Sequence, residues 1–85
     1  MGTFAQAREM LIDDLHESGV NDIGAQLAEA EAVLCDDGVT VLVYVPNGVG
    51  WWAARSFDLP TPIDPQSFDA TAVEQMLTLS PATMH

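Results

Sequence analysis

Val39-Thr40-Val41-Leu42-Val43-Tyr44-Val45, then Pro46-Asn47-Gly48-Val49-Gly50, then Trp51-Trp52-Ala53-Ala54-Arg55-Ser56-Phe57: these blocks decide the fold. The first is β-branched and aromatic, which favours an extended chain over a helix. One Pro, one Asn and two Gly in the second are turn chemistry. The third is a shorter, aromatic-rich strand. Residues 39–57 therefore read as a β-hairpin with a five-residue loop and both Trp on it. Val39, Val41, Val43 and Val45 share one face, and Thr40, Leu42 and Tyr44 the other. Neither face is clearly polar, so both are candidates for cover. Adjacent Trp51 and Trp52 must point to opposite faces, so one is expected to anchor the core while the other looks elsewhere.

Upstream, Thr3 and Gln6 have the spacing of a capping box. Phe4, Ala7, Leu11 and Leu15 recur at helical spacing, while Glu9, Asp13 and Glu17 fall opposite, with Asp14 beside them. Gly19 suits the position past a helix end, so a first helix is predicted over 4–18. Asn21 or Asp22 caps a second helix, with a stripe of Ile23, Leu27, Ala30 and Leu34, that runs up to Gly38. On this reading Asp36 and Asp37 sit at a helix C-terminus and oppose its macrodipole. The short link predicts an antiparallel helix pair. Downstream, Pro60, Pro62 and Pro65 stiffen a crossing segment pinned by Leu59 and Ile63. Asp64-Pro65 adds a turn. A last helix is predicted from Asp69, with Phe68 stapled to Val73 and with Met76 and Leu77 on its apolar face. Pro81 follows that helix, and the tail over 81–85 is expected to be loose.

The chain thus reads as one acidic α+β domain over 1–85, ordered α-α-β-β-α, its helices packed on a short antiparallel hairpin. Leu11, Leu15, Leu27, Leu34, Val41, Val43 and Leu77 are the expected core. A two-stranded sheet is marginal alone. Its edge is expected either to pair with a second copy, giving a homodimer, or to be covered by the Pro segment in a monomer.

Charge is the unusual quantity. Thirteen acidic residues stand against two Arg and no Lys, a formal net of −11. Such a surface repels nucleic acid and anionic membranes and attracts basic proteins. No direct nucleic-acid binding is expected from it. An acidic proteome, or plain solubility, would produce the same balance. A single Cys, Cys35, forms no internal disulfide and favours a reducing compartment. Arg8 and Glu9 interrupt any signal-peptide run, and no apolar run approaches the roughly 20 residues of a membrane span. A cytoplasmic location is expected, with no membrane partner.

Catalytic and cofactor chemistry find little support in the residues. His16 and His85 neighbour no nucleophile motif, so no enzyme is expected. His16 with Asp13 or Glu17, and Cys35 with Asp36 and Asp37, are metal-capable pairs, but no zinc spacing and no calcium loop is present. No cofactor is expected. Asn47-Gly48-Val49-Gly50 is Gly-rich, but it lies between strands and no Lys accompanies it. Hairpin-loop geometry explains it.

Two surfaces remain. Glu9–Asp13 and Asp13–Glu17 are like-charge pairs one turn apart, each costing the helix about 0.2–0.5 kcal/mol. Their spacing of about 6 Å is of the order of phosphate spacing on a nucleic-acid strand. Glu29, Asp36 and Asp37 extend the acidic set. Trp51, Trp52, Tyr44 and Arg55 form the other surface, since aromatics and Arg are typical of interface hot spots. The alternatives are a solvated acidic face and a core Trp.

The acidic rows Glu9, Asp13, Asp14, Glu17 and Glu29, Glu31, Asp36, Asp37, on a compact α/β body, resemble the small acidic proteins that phages use against host defence, notably anti-CRISPR proteins and other DNA mimics. The resemblance covers the whole chain in size, charge and architecture. It implies a non-catalytic, stoichiometric inhibitor of a basic nucleic-acid-binding protein or complex, a CRISPR effector being one case. The alternative is a small adaptor or accessory subunit that binds through the aromatic hairpin.

Overall fold

A computed structural model describes residues 2–48 and 50–78. The fold is α+β, and the described residues form three α-helices and a three-stranded antiparallel sheet. In chain order they are α1 (Phe4–Glu17), α2 (Ile23–Leu27), β1 (Glu31–Leu34), β2 (Thr40–Pro46), β3 (Trp52–Asp58) and α3 (Ala70–Thr78), with a 3-10 turn at Pro65–Ser67 before α3. Pro81 and the expectation for the tail over 81–85 lie outside the described residues.

α1 follows its sequence signals closely. Thr3 Oγ1 accepts from the Gln6 N–H, and Gln6 Oε1 accepts from the Thr3 N–H, which completes the capping box. At the other end the Val20 N–H reaches Leu15 O and the Gly19 N–H reaches His16 O. This is a Schellman closure, and it needs the left-handed φ of 80° that Gly19 supplies. Ala7, Leu11 and Leu15 are buried, and Phe4 meets Phe57 edge-on with ring centroids 5.3 Å apart.

The second helix is where the sequence expectation fails. α2 is five residues, little more than one turn, and ends at Leu27 instead of continuing up to Gly38. Glu31–Leu34 is a strand, paired antiparallel with β2 in the register Glu31 with Tyr44 and Leu34 with Val41. The expected pair of long helices is therefore reduced to α1 and a single short turn, and Asp36 and Asp37 lie in a β-turn. The physical reason is the sheet. A hairpin of two strands leaves β2 with a bare edge, and a third strand satisfies it. Ala30, Ala32 and Leu34 serve a strand about as well as a helix, because the local pattern is short and ambiguous. The turn has its own chemistry. Asp37 Oδ1 accepts from the N–H groups of Val39 and Thr40, Asp37 Oδ2 accepts from the Thr40 hydroxyl, and Gly38 takes φ 72°.

β2 is central, with β1 and β3 on its flanks. α1 lies against β3, α3 against β1, and α2 touches α3 and β2. The inner side of the sheet carries Val41, Val43 and Val45, which with Ala32, Phe57, Leu11, Leu15, Leu27 and Leu77 form one core. Leu34, an expected core residue, is only partly buried at its margin. Among the described residues no helix lies on the other side of the sheet.

Each sheet edge is partly closed. The Ala32 N–H donates to Glu74 Oε2 from α3, and the Asp58 N–H donates to Gly2 O. The Pro segment runs beside the β1–β2 turn, with the Leu59 N–H on Val39 O and the Ile63 N–H on Gly38 O. Asp64 caps the 3-10 turn through the Gln66 N–H, and Asp69 accepts from the Ala72 N–H at the start of α3. Phe68 and Val73 both pack against the core.

Candidate protein-binding surface

Glu9, Asp13 and Glu17 are exposed on α1, on the side away from Leu11 and Leu15. Asp14 is different. Its carboxylate takes both guanidinium nitrogens Nε and Nη2 of Arg55, each at 2.9 Å. A bidentate pair of this kind fixes both side chains. Arg55 is thus turned toward α1, on the other side of the sheet from Trp52 and Tyr44, with which the sequence grouped it. The register explains it. Arg55 stands opposite Val43, so it shares the inner side of the sheet.

The β1–β2 turn holds the second acidic patch. Asp36 and Asp37 are exposed there. The Asp37 carboxyl is held below its ordinary value by the Thr40 hydroxyl first, and then by the Thr40 and Val39 N–H groups. It is a turn-forming acid before it is a contact. Glu29 is exposed between α2 and β1, toward the other end of the sheet. The acids grouped together in the sequence therefore fall into three patches. The two ends of β2 are about 20 Å apart.

Trp51 and Trp52 are both exposed, by 73% and 53%, so neither anchors the core. The loop backbone is nevertheless tied down. Asn47 is buried, its N–H donates to Trp51 O, its Oδ1 accepts from the Trp51 N–H, and its Nδ2 donates to Ser18 Oγ. The strand starts at Trp52, one residue later than the sequence suggested, and Trp51 precedes it.

Trp52 stands on the outer side of the sheet, opposite Pro46. The same side carries Glu31, Tyr44 and Ala54 in one cross-strand row and Val33, Leu42 and Ser56 in the next. Val33 is 49% exposed. Sequence reading missed this surface because it placed Val33 on a helix and left cover of the Leu42–Tyr44 face open. The Asp37-Gly38 pair before an alternating apolar run was the available signal for the extra hairpin.

No protein-family model matches the chain, and no curated protein or solved structure matches it either.

Among the described residues no cluster of three or more His, Cys, Asp or Glu side chains is placed to hold a metal ion. No helix there is long and apolar enough to cross a membrane. An open depression of about 380 Å³ lies between α1 and the edge of β3, lined by Gly2, Gln6, Ala7, Glu9, Met10 and Ser56. Its lining is mostly apolar, with Glu9 as its one charged group.

Proposed function

We propose that the chain is a non-catalytic, acidic protein-binding inhibitor of the anti-CRISPR or DNA-mimic kind, acting on a basic nucleic-acid-binding protein and blocking its nucleic acid. One observation carries the reading: Glu9, Asp13 and Glu17 stand exposed along one side of a rigid, capped helix. The row spans about 12 Å at one turn per step. Two arginines cannot neutralise thirteen acids, so the net of −11 persists whatever pairs they make. Such a row fits a Lys/Arg groove built for phosphates, and binding would release the groove's counter-anions.

The test begins with the protein captured by this chain from the cell that makes it. The chain should displace nucleic acid from that protein, with affinity falling steeply as salt rises. Changing Glu9 and Glu17 to Gln and Asp13 to Asn together should weaken displacement while leaving the fold intact. Displacement that ignores both salt and the triple change would refute the polyanion reading. A second reading, an adaptor or accessory subunit binding through aromatic residues, is favoured by the exposure of Trp51 and Trp52. It expects the Trp changes to dominate, with the effect persisting in high salt.

A further inference from the structure

We propose that the open outer side of the sheet is a docking surface for a basic polypeptide segment in which arginine or lysine alternates with apolar side chains. This rests on the protein-binding reading above and names the surface and the partner chemistry. The centre of the face is apolar and aromatic: Val33, Leu42, Tyr44 and Trp52, with Val33 and Trp52 about half exposed at 49% and 53%. The helices occupy the other side, so none of them shields it.

Charge selects the occupant. Glu31 stands across from Tyr44, Asp58 across from Thr40, and Asp36 and Asp37 lie at the turn that joins β1 to β2. Among the described residues neither arginine answers them on this side. Arg55 is on the inner side with Asp14, and Arg8 belongs to α1, where its Nε donates to Leu77 O. Apolar side chains of a partner would cover Leu42 and Val33, and its cations would lie over the Trp52 and Tyr44 rings near Glu31 and, at the other end of the face, beside Asp36, Asp37 and Asp58. A second copy of the chain fits worse, because it would bring the same acidic border, and a further formal −11, against this one. Strand addition is obstructed where Glu74 holds the Ala32 N–H and Gly2 O holds the Asp58 N–H, so contact is expected across the face.

The probe is a short peptide of alternating arginine and leucine, with an arginine–glycine peptide of equal charge as control. Both are titrated into the intact chain and followed by NMR shifts and Trp fluorescence. Shifts should concentrate on Val33, Leu42, Tyr44 and Trp52, and the leucine peptide should bind about tenfold more tightly than the control. Leu42→Ser and Trp52→Ser should each weaken it about five- to tenfold, and Trp52→Tyr, which keeps a ring, should recover most of the loss. Dispersed amide signals verify that each variant is folded. Shifts confined to α1, or equal affinity for the two peptides, overturn the proposal. A dimer in light scattering that Trp52→Ser dissolves gives the face to a second copy and overturns it. So do NMR contacts from residues 79–85 to Val33 or Leu42 in the intact chain, because the chain itself would then cover the face. The two readings fail separately. A chain that binds the peptide on its sheet yet displaces no nucleic acid refutes inhibition alone. One that displaces nucleic acid with no sheet response refutes the docking face alone.

Discussion

Asp37 shows how one carboxylate can serve two ends. In the sequence it counts as part of an acidic patch, yet its oxygens hold the Val39 and Thr40 N–H groups and the Thr40 hydroxyl that make the β1–β2 turn. Its folded pKa lies below the ordinary carboxylate value, so the ionised form is favoured by folding. The sign follows from linkage. The contribution is present above the unfolded value and is lost as pH falls through the lower, folded one. Asp37→Ala should therefore lower the melting temperature at neutral pH, and the gap from the parent should close in strong acid. Thr40→Val should show a smaller loss with the same pH trend. A gap that stays constant across the titration would mean that the turn does not depend on the charge. Arg55 teaches the complementary lesson: an arginine beside two tryptophans looked like a hot spot, but cross-strand position, not sequence neighbourhood, set its partner.

The elements divide by how much of their stability is local. α1 has its cap, its stripe and its Gly19 stop within its own residues, and all of them act as the sequence suggests. The segment 28–38 has no such independence. Ala-rich and apolar at short spacing, it suits either secondary structure, and pairing with β2 decided it. The face of a strand matters as much as its existence. Val43 is 1% exposed on the inner side, and Val33 is 49% exposed on the outer. Val43→Ala should cost about 2–3 kcal/mol in chemical denaturation, and Leu27→Ala about 2–4 kcal/mol. Val33→Ala should stay within about 0.5 kcal/mol. Equal losses at Val33 and Val43 would mean that the outer face is covered after all.

At the scale of the whole molecule, charge works against compactness. A net of −11 on 85 residues repels itself, and α1 concentrates part of the repulsion in Glu9–Asp13 and Asp13–Glu17. Neutralising all three should stabilise the fold by about 0.4–1 kcal/mol through the two relieved pairs. Added salt should raise the parent's melting temperature more than that of the triple variant. A triple variant that melts lower than the parent would show these acids to be structural contacts. A stabilised variant would mean that stability is given up at these positions, as expected where binding sets the residue choice.

The sequence by itself determined what rests on local chemistry and on counting. The α+β class, the capped first helix with Leu11 and Leu15 inside, the β2–β3 hairpin, the helix from Asp69 and the acidic surface all come from short-range pattern, capping groups and composition. Tertiary structure alone decided the rest. It turned residues 31–34 into a strand, placed Asp14 with Arg55, kept both tryptophans out of the core and put all three helices on one side of the sheet. Those outcomes depend on partners far along the chain: β2 needed a neighbour for its bare edge, and buried area went to the face that α1 and α3 cover. Local periodicity cannot register a competition between distant surfaces.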